Sequence, residues 1–166
     1  ARHPVKALVL TPTRELADQV AANIKTYASH TQLRSAVVFG GVDIKPQAAI
    51  LKAGVEILIA TPGRLLDHIE AKNCSLSSVE FVVLDEADRM LDMGFLPDVE
   101  RICEQLSTER QTLLFSATLD GDIARIASKI LKNPKTIQVA AQREKHANIE
   151  QRLHFVDDMT HKNKLL

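Results

Sequence analysis

The stretch Val82-Val83-Leu84-Asp85-Glu86-Ala87-Asp88 carries the strongest structural signal in the sequence. Its apolar half continues a run that is typical of a buried β-strand, which predicts a strand over Val79–Leu84. In parallel sheets, ligands bind beyond the carboxyl ends of the strands. Because this strand ends directly in Asp85 and Glu86, both carboxylates are expected at such an edge.

Two adjacent carboxylates at a sheet edge suit a divalent cation and a water molecule. Mg²⁺ keeps most of its waters and binds few protein carboxylates, so Asp85 and Glu86 are predicted to hold a hydrated Mg²⁺. Glu86 would also orient and deprotonate a water for attack on a γ-phosphate. Adjacent carboxylates also occur as ordinary charges at a helix N-terminus, where the helix dipole stabilises them. The preceding apolar run and the nearby Asp88 favour the metal site.

Short strand signals alternate with longer helical ones along the rest of the chain. Further strands are predicted at Val5–Leu10, Ser35–Phe39, Val55–Ala60, Thr112–Phe115 and Lys135–Val139. Most of them are rich in β-branched residues without polar alternation, which favours strands covered on both faces. Amphipathic helices are predicted on Leu16, Val20, Ile24 and Tyr27, on Val99, Ile102, Cys103 and Leu106, and on Leu119, Ile123, Ile126, Ile130 and Leu131. The alternation predicts an α/β fold with a mostly parallel sheet and helices on both faces.

Two of the predicted strands run into the same pattern, Thr11-Pro12-Thr13-Arg14 and Thr61-Pro62-Gly63-Arg64. In each copy the first threonine suits the N-cap of a helix, and the proline suits its first turn. The pattern therefore places two helix N-termini and two guanidinium groups at one edge of the sheet, where they suit phosphate groups. Thr-Pro also starts helices where no ligand binds, and one copy alone would favour that simpler interpretation. Two copies, each with its arginine, favour an extended phosphate backbone as the ligand.

Two further motifs follow predicted strands. Gly40-Gly41 either lets a ligand approach the backbone closely or simply turns the chain. Ser116-Ala117-Thr118 precedes an amphipathic stretch, so one hydroxyl is expected to cap that helix. The other hydroxyl would bond a neighbouring carboxylate, with Asp88 as the candidate. That bond would couple the carboxylate end of the sheet edge, where a nucleotide is expected, to the arginine end, where a nucleic acid is expected.

The composition argues against several classes of protein. Lys and Arg number 21 and so do Asp and Glu, so any binding of nucleic acid has to come from local geometry rather than overall charge. One Tyr and no Trp argue against an aromatic platform for single strands. The apolar runs are too short to cross a membrane. The cysteine usage is typical of a reducing compartment, which favours the cytoplasm. The histidines lack metal-site spacing and are expected at the surface: His3, His30, His68, His146, His154 and His161.

The texture of the sequence changes after Val139. Residues 1–140 form the predicted α/β domain, 141–148 are typical of a linker, and 149–166 resemble the start of a second domain. The alternative for that last segment is a C-terminal strand that pairs with the main sheet. The opening residues form no signal peptide and contain no initiating Met, so we expect the sequence to be part of a longer chain.

The motifs described above resemble, in order and rough spacing, those of the DEAD-box ATP-dependent RNA helicases. The resemblance covers about Val5 to Val139, and the matching stretches are Pro12-Thr13-Arg14-Glu15-Leu16-Ala17, Gly40-Gly41, Thr61-Pro62-Gly63-Arg64, Asp85-Glu86-Ala87-Asp88 and Ser116-Ala117-Thr118. The segment Arg89-Met90-Leu91-Asp92-Met93-Gly94-Phe95 after the carboxylates is also similar to that family. Five motifs in order make the match specific.

The resemblance implies the first of two RecA-like domains, a fold of the P-loop NTPase type. It implies ATP and Mg²⁺ as cofactors, with Asp85, Glu86 and Asp88 serving hydrolysis. Ser116 and Thr118 would couple the state of ATP to unwinding. The second RecA-like domain of the same chain would be the protein partner. The RNA backbone would be held, without reading of bases, by Pro12, Thr13, Arg14, Gly40, Gly41, Thr61, Gly63 and Arg64.

Parts of the family pattern are absent from the sequence. It contains no G-x-x-x-x-G-K-[ST] loop, which cradles the nucleotide phosphates in the family, and no arginine-bearing motifs of a second domain. We therefore expect an N-terminally truncated domain that neither binds ATP tightly nor hydrolyses it by itself. The missing piece includes a strand of the central sheet in related proteins, so uncovered apolar faces and self-association are also expected.

Two other functions fit parts of the pattern. A non-catalytic module that clamps RNA or binds a partner would keep the fold without the motor, and a phosphate loop upstream of Ala1 would distinguish the two. A metal-dependent nuclease would use Asp85, Glu86 and Asp88, but two-metal sites gather carboxylates from several strands. The favoured function is ATP-driven separation of RNA strands by the intact protein.

Overall fold

The computed structural model describes residues 3–119 and 121–139 of the chain. The chain divides into two units, Ala1–Pro134 and Lys135–Leu166, and the described helices and strands all lie in the first. Their order is β1 (Ala7–Leu10), α1 (Arg14–Tyr27), a 3₁₀ turn (Ala28–His30), β2 (Ser35–Val38), α2 (Ile44–Ala53), β3 (Ile57–Ala60), α3 (Pro62–Glu70), β4 (Phe81–Leu84), α4 (Ala87–Asp92), α5 (Leu96–Glu104), β5 (Gln111–Leu114) and α6 (Gly121–Ile130).

The strands form one parallel sheet in the order β2-β3-β1-β4-β5. This confirms the predicted mostly parallel sheet. Leu10 at the end of β1 lies beside Ala60 of β3 and Leu84 of β4, so neighbouring strands end level with one another. Five of the six predicted strands are observed. The strands β2 and β5 lie within one residue of their predicted ends, and β1, β3 and β4 are shortened at the start, since β-ladders fray at their ends.

One face of the sheet is buried along β1, β2, β3 and β4 and partly buried at β5. Leu8, Leu10 and Leu58 on this face are 0% exposed, and α2, α3 and α5 supply side chains to the same core. The opposite face is covered mainly by α1, because only the β1–β2 connection runs toward the β2 edge and crossovers between parallel strands are right-handed. Val9 and Val83 on that face remain half-buried. Helices on both faces are thus observed, but the two faces are not covered equally, as Val9 and Val83 show.

The predicted strand over Lys135–Val139 is wrong. The structure assigns no strand there, and Ile137 and Val139 are 76% and 89% exposed. β-branched composition favours a strand, but a strand also needs a neighbour for its backbone hydrogen bonds.

The expected position of Tyr27 is wrong, and the last two predicted segments of the chain lie outside the described residues. Tyr27 belongs to the apolar stripe predicted for the first helix, but it is 80% exposed at the last residue of α1, whereas Ala17 is fully buried. The linker 141–148 and the segment 149–166 lie outside the described residues. Within residues 3–119 and 121–139, no helix has both the length and the apolar character to cross a membrane.

Candidate functional site at the carboxyl edge of the sheet

The motifs that follow the strands converge along one edge of the sheet, which we call the rim. In the order β2, β3, β1, β4, β5 it carries Gly40-Gly41, Thr61-Pro62-Gly63-Arg64, Pro12-Thr13-Arg14, Asp85-Glu86 and Ser116-Ala117-Thr118. Backbone hydrogen bonds continue beyond the strands: the Thr11 N–H donates to the Ala60 carbonyl and the Asp85 N–H to the Leu10 carbonyl, both at 3.0 Å. The rim therefore has carboxylates at one end and arginines at the other, as the strand order of a parallel sheet dictates.

The carboxylates lie where β4 passes into α4. Glu86 is the N-cap of α4 and has φ 51° and ψ 53°, a left-handed conformation that non-glycine residues rarely adopt. The Asp85 Oδ1 atom accepts a hydrogen bond from the Glu86 N–H at 3.0 Å, and Arg89 Nη1 lies 3.5 Å from Glu86 Oε2. Such backbone strain costs roughly 1–3 kcal/mol and is commonly found at functional sites.

The loop after β5 caps α4. Ser116 Oγ accepts a hydrogen bond from the Asp88 N–H at 3.2 Å, and the Phe115 carbonyl accepts one from the Ala87 N–H at 3.0 Å. Both donors belong to the first turn of α4, where N–H groups have no partner within the helix. The predicted contact between Ser116 and Asp88 is present, but it uses the backbone of Asp88 rather than its carboxylate. Thr118 is exposed.

These two loops border an open cavity of about 430 Å³ lined by Asp85, Glu86, Asp88, Arg89, Phe115, Ser116 and Ala117. Among the described residues no group of three or more His, Cys, Asp or Glu is placed to hold a metal ion by itself. A metal ion held by protein side chains alone therefore does not fit this part of the rim. Mg²⁺ usually takes one or two protein carboxylates, with waters and substrate phosphates as its other ligands. The carboxylate oxygens of Asp85 and Glu86 fit that mode.

The first Thr-Pro corner differs from its prediction. The N-cap of α1 is Thr13, whose Oγ accepts a hydrogen bond from the Leu16 N–H at 3.3 Å. Thr11 is fully buried, and its hydroxyl donates to the Thr13 carbonyl at 3.3 Å, so it does not cap the helix. Pro12 precedes the helix instead of lying in its first turn. Threonine at either position suits an N-cap, and the sequence pattern alone does not choose between them.

The second corner has the predicted form, with Thr61 as N-cap and Pro62 as the first residue of α3. Gly63 follows in the first turn. The two arginines consequently occupy different positions. Arg14 is exposed at the first residue of α1, with its guanidinium 5.1 Å from the centre of the Phe39 ring. The Arg64 side chain is only 11% exposed.

Arg64 is surrounded by protein acceptors. Its Nη2 donates to the Val42 carbonyl at 3.1 Å and its Nη1 to Gln47 Oε1 at 3.3 Å. The Nε atom lies 3.3 Å from Asp67 Oδ2. Sequence spacing predicted the same role for both arginines, but the guanidinium of Arg64 faces the protein and that of Arg14 faces solvent.

His68 lies behind Arg64, and the expectation that it lies at the surface is wrong. His68 is 0% exposed, with Nε2 3.1 Å from Gln47 Oε1 and Nδ1 3.1 Å from Asn73 Nδ2. Burial, assisted by the charge of Arg64 and opposed by Asp67, lowers the pKa of His68. A neutral ring protonated at Nε2 satisfies both contacts. The signal that would have found it is helical spacing, because His68 follows buried Leu65 by one turn.

The glycine loop joins β2 to α2. Gly41 has φ +79°, which favours glycine, and a Cβ atom added to either Gly40 or Gly41 would meet no atom within 4 Å. Glycine is therefore favoured at position 41 by its positive φ, and not by a lack of space for a side chain. The open space in front of both glycines allows a ligand to approach the backbone.

Comparison with known proteins assigns the chain to a family. A family model described as DEAD/DEAH box helicase matches residues 1–126. The chain is 44% identical over 156 residues to the DEAD-box ATP-dependent RNA helicase RhpA of Helicobacter pylori strain B128, covering 94% of this chain and 32% of that protein. It is 43% identical over 164 residues to the ATP-dependent RNA helicase SrmB of Escherichia coli strain K12, covering 98% of this chain and 37% of that protein.

The fold agrees with these sequence matches. The crystal structure of a DEAD box protein from the hyperthermophile Methanococcus jannaschii has a TM-score of 0.75 and 43% sequence identity to this chain, over 79% of this chain and 36% of that one. The chain thus spans about a third of the length of these relatives. Because the family model covers most of the sequence and the parallel sheet brings the family's motifs to one rim, the chain belongs to the DEAD/DEAH box helicase family.

Proposed function

We propose that this chain is part of the first RecA-like domain of an ATP-dependent RNA helicase that separates or remodels short RNA duplexes. The observation that carries the proposal is the rim, where a carboxylate pair with a strained Glu86 backbone and an exposed arginine follow neighbouring strands of one parallel sheet. The relatives described above are named as ATP-dependent RNA helicases, which supports the same function.

At the carboxylate end, Glu86 is proposed to orient a water and take its proton. Its side chain is 42% exposed and borders the cavity, so water reaches it. One oxygen of Asp85 is used by the Glu86 N–H, which leaves the other for a hydrated Mg²⁺. When bound, Mg²⁺ supplies positive charge that offsets the negative charge on transferring phosphates. Asp88 and Ser116 connect this end to β5, which supports their proposed coupling role with Thr118.

At the arginine end, the RNA sugar-phosphate backbone is proposed as the ligand. Arg14 presents an exposed guanidinium beside the N-terminus of α1, and Gly40-Gly41 leaves space for close approach. Thr61 begins the neighbouring helix α3. Contacts of this kind position a nucleic acid without reading its sequence. The predicted binding is therefore independent of RNA sequence.

We further propose that sequence outside this chain supplies the phosphate cradle and the second RecA-like domain, and that the intact protein acts in the cytoplasm. Free thiols at Cys74 and Cys103 are in keeping with a reducing compartment. The polypeptide by itself is proposed to self-associate, since the apolar side chains of Phe115 and Leu119, which follow the edge strand β5 in the sequence, are 55% and 45% exposed. A single monomeric species in sedimentation velocity would contradict self-association.

ATP hydrolysis and duplex separation test the proposed function. The intact protein is expected to hydrolyse ATP faster when RNA is added and to separate a short RNA duplex only with ATP. The 166-residue polypeptide is expected to show no ATPase activity, because its sequence holds no phosphate cradle. ATPase activity of this polypeptide that Glu86→Gln abolishes would contradict the second expectation. An intact protein that binds RNA without hydrolysing ATP would instead support the clamping module.

A further inference from the structure

A buried polar cluster lies beneath the glycine loop and joins Arg64 of the second Thr-Pro corner to three residues outside the sequence motifs. It consists of Gln47, Arg64, His68 and Asn73. Gln47 is its centre and is 8% exposed. The Oε1 atom of Gln47 accepts from Arg64 Nη1 at 3.3 Å and from His68 Nε2 at 3.1 Å, while its Nε2 donates to the Phe39 carbonyl at 3.1 Å.

The cluster holds the glycine loop at both ends. Gln47 donates to the carbonyl of Phe39, just before Gly40-Gly41, and Arg64 donates to the carbonyl of Val42, just after them. Two consecutive glycines have unusual backbone freedom, and ordering their backbone costs conformational entropy. Side-chain donors on both flanking carbonyls reduce that freedom before any ligand binds.

The same cluster reaches Arg14 through Phe39. The carbonyl of Phe39 is bonded to Gln47, and its ring lies beneath the Arg14 guanidinium at 5.1 Å. A guanidinium over an aromatic face is held by cation–π attraction. The position of Phe39 therefore influences both the glycine loop and the exposed arginine beside it.

We propose that Gln47 is a positioning residue for RNA binding: it holds the Gly40-Gly41 loop and, through Phe39, the Arg14 guanidinium in the geometry that meets an RNA sugar-phosphate backbone. This inference rests on the proposed function. Gln47 acts through these groups and does not contact RNA, because it is buried and both of its polar atoms are already bonded. An amide is the side chain that suits the position, since it donates to a carbonyl and accepts from two cations or N–H groups at once.

Two substitutions in the intact protein test the proposal without depending on RNA. Gln47→Met removes every hydrogen bond of the side chain. Gln47→Glu keeps the acceptor for Arg64 but cannot donate to the Phe39 carbonyl, and it stays informative if the methionine variant does not fold. In hydrogen–deuterium exchange, both variants are expected to speed the exchange of amides in residues 39–43 and to leave those in β4 unchanged. Gln105→Met, at an exposed glutamine that ends α5, is the matched control and is expected to exchange as the wild type.

RNA-stimulated ATP hydrolysis gives the functional readout. Either Gln47 variant is expected to raise the concentration of an oligouridine needed for half-maximal stimulation about tenfold, equivalent to about 1.4 kcal/mol, with the maximal rate and the RNA-free rate changed by less than about twofold. A merely destabilised protein would lose maximal rate as well. Unchanged exchange in residues 39–43, or a loosened loop with unchanged RNA dependence, would overturn the inference. A wild-type protein with no RNA-stimulated hydrolysis would contradict the proposed function, and the exchange experiment would still decide whether Gln47 holds the loop.

Discussion

Replacing Glu86 with glutamine in the intact protein is expected to lower RNA-stimulated ATP hydrolysis about 10²–10⁴-fold, the usual contribution of a general base. Glutamine keeps the size of the side chain and the backbone position at the start of α4, but it does not accept a proton from water. Because the substitution removes only this step, ATP-dependent binding of RNA is expected to persist. The measurement is phosphate release at saturating ATP and RNA, with RNA affinity measured on the same samples.

The matched control is Glu80→Gln. Glu80 is exposed and pairs with Lys6 at 2.6 Å, just before β4 at the opposite edge of the sheet from Asp85. It is expected to leave the rate unchanged. A Glu86→Gln protein that hydrolyses ATP within about tenfold of the wild-type rate would show that Glu86 is not the general base.

Replacing Arg14 with alanine is expected to weaken RNA binding about tenfold for every RNA sequence. If one phosphate contact to a single strand is lost, the slope of log affinity against log salt concentration falls in size by roughly 0.7. Both effects are expected of Arg14 because its side chain is exposed at the rim. Fluorescence anisotropy on several RNA sequences, titrated at a series of salt concentrations, measures both quantities.

Arg64→Ala is the informative comparison. The Arg64 guanidinium already donates to the Val42 carbonyl and to Gln47, so its loss is expected to weaken RNA binding by loosening the glycine loop while the salt slope stays near the wild-type value. Arg101→Ala, at an exposed arginine of α5 paired with Glu70, is the control that is expected to change neither quantity. Equal changes in salt slope for Arg14→Ala and Arg64→Ala would contradict these different roles.

The local pattern of side chains was sufficient to predict the parallel sheet and the composition of its rim. Apolar, β-branched runs mark where strands form, and the residue that follows each run lies at the carboxyl end of that strand. Asp85 and Glu86 were placed at the sheet edge by this reasoning, and the structure has them directly after β4. Gly40-Gly41 was placed there in the same way.

Tertiary packing decided which hydrogen bonds the polar side chains near the rim form. Gln47, Arg64 and His68 come from two helices, and only the packing of α2 against α3 beneath the loop brings their polar atoms within 3.3 Å. Arg14 and Arg64 are equivalent in the sequence pattern, yet Arg14 faces solvent and Arg64 donates to the Val42 carbonyl and to Gln47. Likewise, Lys135–Val139 has the composition of a strand, yet the structure assigns no strand there, because composition alone does not form a β-ladder. Periodicity reports whether a side chain is buried, whereas the atom it bonds to depends on segments that are distant in sequence.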